Sequence, residues 1–539
     1  NLNILAGNDK TTTTVDSKKS GFGVGGGLYG SESVRTTDKE TRNVSSGIAA
    51  GGQLALVNNK NVTIQGSNVS ADKGGLIQAT NDVNIVAGAD TSEVTSHKET
   101  SCILCVTSSS SGSTSAGASA FAKKTGTGGE VSAQAQASAD GKNSSSLNFY
   151  SKTVTDSQAK KSDSVASNVT FGDKGAIVAG NTLTIQGSNV ATTVGDLVLK
   201  GKDVNILSGE NTETSTTTSK TTSVGIFVDS QGKASAEAKA GAIGAVAGKD
   251  GKAALAAGGN ASAKASAEGS STVTIGARVT SSKDTTDKLT NVGSQISSGG
   301  NLVIVADNDI TTRGANLSAA GKLVESATNI NNLAATDHDI TTSSSSQTTA
   351  GLYLSAGGKA EAEAGVEGSV QLSPDKIAAQ AGGAGSPAKF GATAGVKVQV
   401  DASAGVRVAN ESQSSVEGST HAVTTTLSAG TDVVRVAKNA INDQGTQIAA
   451  GGDILQSATT LTDRAAADTK FSSTSSRSDV FEIGVTANAG VSQGLTTDAQ
   501  LGAGVKQGFT HSQSAESESS SKAVTSSYNA GGRVVSVTS

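Results

Sequence analysis

The sequence predicts an all-β protein, an elongated β-helix (β-solenoid) with a long antiparallel β-hairpin inserted once per repeat. Three observations predict this fold: motifs that recur at long intervals, palindromic stretches of small residues, and an unusual composition. The 539 residues include 66 Gly, no Met and no Trp, and only 2% are aromatic. Such a chain lacks the large side chains that stabilise an ordinary globular core, so regular backbone pairing has to carry the fold.

The motif TIQGSNV identifies the repeat, because it occurs unchanged at residues 63–69 and 184–190. Weaker copies, TTRGANL and NDQGTQI, occupy 311–317 and 442–448. Self-similarity at long period is the mark of a repeat architecture. The central glycines are therefore taken as structural anchors of the repeat: Gly66, Gly187, Gly314 and Gly445.

The length of one coil follows from a second pair of anchors. Ile64 and Ile85 are 21 residues apart, and so are Ile185 and Ile206. An interval of this size suits one coil of a few short strands separated by Gly, Asn and Asp turns. Stacked coils would place these isoleucines in register, about 4.8 Å apart.

The alternation of apolar and polar residues predicts which side chains of a coil point inward and which point outward. Val62 and Ile64 are predicted to point inward and Thr63 outward, with Gly66 at the corner. Asn68 and Asn189 are interpreted as solvated turn residues, and a ladder of stacked asparagines is the alternative.

The hairpins are predicted from the palindrome KASAEAKA at 233–240 and ASAKASAE at 261–268. A two-residue turn at Asp250 and Gly251, a strong hairpin signal, places Ala238 opposite Ala263. The same register brings opposite charges together on the other face. The stretch is therefore a two-stranded ribbon with small apolar side chains on one side.

The same device recurs along the chain. A turn at Thr127 and Gly128 is predicted to pair Ala116 with Ala139, and a short first hairpin is expected at 20–31. Long hairpins are expected near 102–153, 222–279 and 350–410, and a shorter one near 479–511. Isolated ribbons are marginally stable in water, so each must lie on the solenoid flank or on a neighbouring ribbon. A transmembrane barrel is the alternative, but its aromatic girdles are missing from these faces of Ala and Gly.

The recurring motifs and palindromes divide the chain into five predicted repeat units. Each has a β-helix part and a hairpin, and the last is partial. The predicted bounds are 1–90, 91–211, 212–330, 331–458 and 459–539.

The charge pattern restricts the partners that the sequence predicts. The net charge is −5, with 42 basic and 47 acidic residues mixed along the chain. Because no basic block occurs, the sequence argues against nucleic acid or an anionic membrane as a partner. Asn1 lies in the middle of a repeating pattern, and we expect the chain to belong to a longer protein.

No residues predict a catalytic, cofactor-binding or metal site, and the chain is interpreted as not being an enzyme. Cys102 and Cys105 could join His97 at a zinc ion, but a fourth ligand is lacking. The cysteines are therefore interpreted as a small disulfide or as two thiols on a strand. The four histidines, which stand in Ser/Thr-rich surroundings, are interpreted as solvated: His97, His338, His421 and His511.

Taken together, these recurring motifs resemble the filamentous haemagglutinin repeats of two-partner-secretion exoproteins. The resemblance rests on Val62–Val69 with Asp82–Gly88, and on Leu183–Val190 with Asp203–Gly209. It extends more loosely over the rest of the chain. This group includes filamentous adhesins and contact-dependent growth inhibition toxins.

The resemblance implies a protein secreted to the exterior of a Gram-negative bacterium through an outer-membrane β-barrel partner. The leading hypothesis is a stalk that mediates cell–cell or surface adhesion, presents distal domains and associates laterally. An alternative is a region that engages a neighbouring cell's outer membrane and helps to deliver a C-terminal toxin. A third is a phage fibre or polysaccharide-binding solenoid.

Overall fold

The computed structural model describes residues 1–125, 128–249, 252–372, 389–397, 400–491 and 499–538. In these residues the chain forms strands, numbered β1 to β36 in chain order, and one short 3₁₀ turn at Val24–Gly26. Two parts are distinguished below: the shaft, a β-solenoid of parallel strands, and the wing, an antiparallel sheet of hairpins. The predicted all-β solenoid with inserted hairpins is confirmed. Within the described ranges no helix is long and apolar enough to cross a membrane.

The shaft has three walls, and each coil contributes a strand to every wall. The first wall is a nine-stranded parallel sheet in the described part of the chain. Its strands are β4 (Gly47–Ala50), β7 (Asn68–Ala71), β12 (Asn168–Phe171), β15 (Asn189–Thr192), β20 (Gln295–Ser298), β23 (Asn316–Ala319), β28 (Thr425–Ala429), β30 (Thr446–Ala450) and β35 (Ser527–Ala530).

The second and third walls form one 16-stranded sheet over the described residues, because two long strands run through both. Those two are β24 (Leu323–Leu333) and β29 (Val433–Gln444). The second wall also contains β5 (Leu54–Asn59), β8 (Gly75–Ala79), β13 (Gly175–Ala179), β16 (Leu197–Gly201), β21 (Leu302–Ala306), β31 (Ile454–Ala458) and β36 (Val534–Thr538). The third also contains β1 (Leu2–Leu5), β6 (Val62–Gln65), β9 (Val83–Val86), β14 (Thr182–Gln186), β17 (Asp203–Leu207), β22 (Asp309–Arg313) and β32 (Thr460–Arg464).

Columns of aliphatic side chains fill the shaft. Ile64 pairs with Ile85, Ile85 with Ile185, and Ile185 with Ile206. All four are fully buried, and Val62 is buried beside them, as the alternation predicts. Full burial of each such side chain contributes roughly 1.5–3 kcal/mol to the free energy of unfolding. The core of the shaft is therefore a one-dimensional stack.

The asparagines at the corner of the shaft form a ladder. Asn168 Nδ2 donates to Asn68 Oδ1 at 2.9 Å, and Asn189 Nδ2 donates to Asn168 Oδ1 at 2.8 Å. The interpretation of Asn68 and Asn189 as solvated turn residues was wrong. Stacking at one strand spacing brings each amide within reach of the next, so the side chains pair with each other.

In the described ranges, the wing consists of five hairpins that leave the shaft at the same corner, after every second coil. The strands pair as β2 (Gly7–Phe22) with β3 (Gly27–Val44), β10 (Gly88–Thr125) with β11 (Gly128–Val165), β18 (Gly209–Lys249) with β19 (Lys252–Val292), β25 (Ala335–Leu372) with β26 (Lys389–Lys397) and β27 (Val400–Val423), and β33 (Ala466–Val491) with β34 (Ala499–Val524).

Successive hairpins also pair edge to edge, so the wing is one 11-stranded antiparallel sheet over the described residues. The seams join β3 to β10, β11 to β18, β19 to β25, and β27 to β33. Two coils advance the shaft by two strand spacings, about 9.6 Å, and a two-stranded hairpin is equally wide. One hairpin per two coils therefore tiles the wing without gaps. Of the two supports offered for the ribbons, the neighbouring ribbon is the one seen.

The observed pairing of residues within each hairpin can be compared with the pairing predicted from the palindromes. Ala238 pairs with Ala263 and Lys249 with Lys252, as predicted for β18 and β19, although Asp250 and Gly251 lie outside the described residues. For β10 and β11 the predicted register was wrong by two residues, because Ala116 pairs with Ala137 and not with Ala139. A shift of two residues keeps every side chain on its face, so alternation alone cannot detect it.

The hairpins are longer than predicted. The pair expected near 222–279 runs from Gly209 to Lys249 and from Lys252 to Val292, 41 residues in each strand. The Ser/Thr-rich tracts thus belong to the strands, where the branched threonine side chain suits a pleated surface. The division into five sequence units stays a prediction; the repeating module seen here is two coils plus one hairpin.

The anchor glycines occupy the corners that do not carry a hairpin. Their φ angles are 57°, 57°, 56° and 58° at Gly66, Gly187, Gly314 and Gly445. A Cβ on Gly187 would lie 2.7 Å from the Cα atom of Gly209, the first residue of β18. Only glycine suits this left-handed backbone beside the base of the next hairpin.

Candidate functional site: an apolar belt across the wing

A continuous row of apolar residues crosses the wing from edge to edge. Each member is paired directly with the next on the neighbouring strand, and directly paired residues project from the same face. We call this row the belt: Phe22, Tyr29, Ile103, Tyr150, Val224, Ala277, Ala350, Val408, Phe481 and Phe509.

The belt lies at a fixed distance from the shaft. Ile103 is 15 residues beyond Gly88, and Val224 is 15 residues beyond Gly209; the other three outgoing strands have the same offset. At about 3.4 Å per residue the belt is roughly 50 Å from the shaft. This constant offset is the sequence signal that could have found the belt, but it requires knowing where each hairpin begins.

Most belt side chains face solvent. Phe22 is 82% exposed and Phe509 68%. The rings of Phe22 and Tyr29 meet edge to face, with centroids 5.8 Å apart, as expected for side chains on one face. Such a row is more extended than the scattered apolar residues of an ordinary surface.

Two further apolar rows lie beside the belt on the side away from the shaft. The second row is Ile226, Ile275, Leu352, Val406 and Ile483, and the third is Val228, Val273, Leu354, Ala404, Val485 and Val505. On β18, Ile226 and Val228 are buried. On the later strands, Leu352 is 58% exposed and Val505 84%. The exposed apolar area is thus concentrated on β25 to β34.

The opposite face of the wing carries two charged clusters, each centred on a side chain that is largely buried. Arg278 Nε donates to Thr349 Oγ1 at 3.0 Å, its guanidinium pairs with Asp229, and it lies 4.3 Å above the Phe227 ring. Its side chain is 9% exposed.

A second charged group on that face centres on Glu482. Its Oε2 lies 2.8 Å from Lys506 Nζ, and its Oε1 lies 3.6 Å from Arg407 Nε. The hydrogen bond to Glu482 raises the pKa of Lys506. A sheet in water usually shows charges to solvent and buries its apolar face. In this part of the wing the Glu482 side chain is 14% exposed while the belt residue Phe509 is 68% exposed, so the belt face is the candidate contact surface.

The shaft contains one unusual polar site among its described coils. Fully buried Arg435 makes a bidentate pair with Asp443, at 2.6 and 2.9 Å, and its Nε lies 3.4 Å from Glu325 Oε2. Asn332 Nδ2 donates to the same Glu325 oxygen at 3.2 Å, while Glu325 Oε1 has no partner. Burial raises the pKa of Glu325. The site interrupts part of the aliphatic stack over two coils and acts as a polar joint.

The predicted site residues are positioned as follows. The Sγ atoms of Cys102 and Cys105 are bonded to each other, with the Cα atoms 6.0 Å apart. All four histidines lie on the wing, each paired with an aspartate of a neighbouring strand, so they are not merely solvated. The pairs are His97 with Asp156, His338 with Asp287, His421 with Asp468, and His511 with Asp479. Among the described residues, no group of three His, Cys, Asp or Glu side chains could hold a metal ion.

A family model described as a hemagglutinin repeat matches the chain four times, at residues 29–158, 149–280, 275–403 and 406–539. A search of curated proteins found no match.

Two solved structures are similar at 7% identity. They are the translocator domain of the autotransporter NalP from Neisseria meningitidis and the beta domain of the Bordetella autotransporter BrkA. The first similarity covers 56% of this chain and 78% of that one, and the second covers 62% and 93%. Both TM-scores are 0.07, so neither carries an argument about fold or function.

Proposed function

Because the chain belongs to the hemagglutinin repeat family, we propose that it is a stalk segment of a large secreted bacterial surface exoprotein. That family is a structural repeat family of secreted or cell-surface proteins exported by two-partner secretion. The shaft would act as a stiff spacer that presents distal domains and mediates adhesion. The observation that supports this most is the unbroken stacking of coils, in which Ile64, Ile85, Ile185 and Ile206 follow one another in register.

An in-register deletion tests the stalk. Removal of residues 67–187 from the full-length exoprotein joins Gly66 to Ser188 and restores the motif TIQGSN across the junction. The stalk would then be shorter by two coils and one hairpin. We expect cells to display the shortened protein and still to adhere, as measured by surface antibody binding and cell attachment. Loss of attachment with normal display would show that the deleted residues bind the target directly, against a spacer role.

A second candidate function is engagement of a neighbouring cell's outer membrane by the wing. The specific observation that favours it is the belt face, where Leu352, Val505 and Phe509 are mostly exposed while Arg278 on the opposite face is buried. Exposed aliphatic and aromatic side chains beside a polar region suit the boundary between lipid and water.

Vesicle flotation tests this candidate. The chain should float with lipid vesicles, and the double variant V505S/F509S should float much less. The double variant T510S/S512A, which alters hydroxyls on the same strand, is the matched control and should float normally. Failure of the unmodified chain to associate with any vesicle would remove this candidate and leave the stalk.

A further inference from the structure

On the belt face, between the belt and the shaft, the wing carries an open cavity of about 850 Å³, lined mainly by serine and other polar residues. Side chains of seven strands line it, from β11 to β34. Its hydroxyl groups come from successive strands of the sheet: Ser281, Ser344, Ser346, Ser412, Ser414 and Ser475. Lys220 lies four residues from the belt residue Val224, and Lys283 lies six from Ala277. Even spacings place both lysines on the belt's face.

The charges that line the cavity do not balance locally. Arg477 Nε lies 2.8 Å from Asp479 Oδ2, so its charge is paired. Asp156 Oδ1 lies 2.6 Å from His97 Nδ1, which is an ion pair only when His97 is protonated. Across the part of the chain that the structure describes, no carboxylate is within ion-pair distance of Lys220 or Lys283. Two unpaired cations side by side stand out in a chain of net charge −5.

The backbone pairing explains why these two lysines meet. Lys220 pairs with Ser281, and Lys283 pairs with Thr218, so the lysines are diagonal neighbours on β18 and β19. They are far apart in the chain, and no run of basic residues in the sequence predicts that they are neighbours. The argument from charge pattern against an anionic membrane therefore misses a local site that the hairpin creates.

The chemistry of the cavity suits a phosphate group. Ammonium and hydroxyl groups are hydrogen-bond donors for phosphate oxygens. Four residues of strand separate Lys220 from the belt, about 13 Å, and a lysine stem can carry its ammonium group along that surface. A molecule with apolar chains on the belt and a phosphate beside it would satisfy both features.

We propose that this cavity binds the head group of an anionic phospholipid, whose phosphate charge no choline offsets, while its chains contact the belt face. The inference rests on the second proposed function, in which the wing contacts a membrane, and it assigns the lipid class. Lys220 and Lys283 supply the cationic contacts. The serine hydroxyls pair with each other, as Ser281 does with Ser346 at 3.3 Å, which leaves one hydroxyl of each pair as a neutral donor.

Flotation with two vesicle compositions tests the proposal. Phosphatidylcholine vesicles offer a neutral surface, and vesicles that also contain phosphatidylglycerol offer an anionic one. Each lysine beside an anionic surface contributes about a fivefold gain in partition coefficient. The double variant K220Q/K283Q should therefore bind the anionic vesicles about thirtyfold more weakly. Its binding to the neutral vesicles should not change.

The control is the double variant K202Q/K438Q, which removes two exposed lysines from the shaft and should change binding less than twofold. If the unmodified chain binds neither vesicle, membrane contact itself is wrong and the head-group site with it. If it binds both, and K220Q/K283Q binds like the unmodified chain, the head-group site is wrong while membrane contact stands. Protection of Lys220 and Lys283 from acetylation by inorganic phosphate alone would contradict a lipid-specific site.

Discussion

The shaft and the wing use the same strand spacing but opposite side-chain arrangements. In the shaft, Ile64 and Ile185 are fully buried, and their neighbours Thr63 and Thr184 face outward. In the outer wing, Leu352 and Val505 face solvent, and Arg278 is covered. The shaft therefore derives its stability from stacked side chains, whereas the wing depends on backbone pairing and on its attachment to the shaft. Substitutions in the core of the shaft should therefore lower the unfolding free energy more than substitutions on the exposed face of the wing.

The largest effect is expected at the polar joint of the shaft. Arg435→Ala leaves Asp443 and Glu325 buried without a cation, which costs about 3–5 kcal/mol of unfolding free energy. The measurement is hydrogen exchange of β24 and β29, which reports local opening of the coils. Arg533→Ala, which breaks an exposed pair with Asp453 at 2.9 Å, is the matched control and should have little effect. Equal exchange rates in both variants would contradict the claim that the polar joint stabilises these coils.

The next effect is expected at an anchor glycine that lies beside the base of a hairpin. Gly187→Ala places a Cβ atom against Gly209 and forces a non-glycine residue into left-handed backbone, at a cost of about 2–4 kcal/mol. Thermal unfolding measures it. Gly508→Ala on the wing is the control, since no atom lies within 4 Å of the added Cβ and its φ is unremarkable. A control as destabilised as Gly187→Ala would reject the corner argument.

A smaller effect is the pH dependence of the joint. Burial raises the pKa of Glu325, so the folded chain holds this proton more tightly than the unfolded chain, whose value is near 4.5. The resulting stabilisation is complete below that value and is lost as the pH rises through the folded pKa, by at most about 1.4 kcal/mol per pH unit.

Glu325→Gln removes that titration. Denaturant unfolding between pH 4 and 8 should therefore show a shallower decline for the variant than for the unmodified chain. Identical pH profiles would mean that Glu325 does not change its protonation state on folding.

The smallest effect on stability is expected at the belt. Phe509→Ser removes a ring that is 68% exposed, so the unfolding free energy should change by less than about 0.5 kcal/mol. Phe171→Ser, at a fully buried ring in the shaft, is the contrasting substitution and should be strongly destabilising. Similar losses in thermal unfolding would show that the belt is part of a core.

The sequence predicts the shaft better than the wing for a physical reason. Alternation of Val62 and Ile64 and the 21-residue interval are local patterns, so coil and core could be derived from them. The pairing of β19 with β25 joins residues of different hairpins, and nothing local specifies it. The belt was missed for the same reason, since Phe22 and Phe509 meet the same row only after ten strands align. The polar joint was missed because nothing in the local sequence marks Glu325 and Arg435 as buried.

The tiling of one hairpin per two coils is tested most directly at the seam between β19 and β25. Ser281 and Ser346 face each other there, with hydroxyl oxygens 3.3 Å apart. The variant S281C/S346C should form a disulfide on mild oxidation, mapped by mass spectrometry of the joined peptides. S281C/S412C, whose positions are two strands apart, should not. The positive control is S476C/S514C, whose positions pair within one hairpin and whose serine hydroxyl oxygens are 2.8 Å apart. If the control forms its disulfide while S281C/S346C stays reduced, the hairpins do not form one sheet.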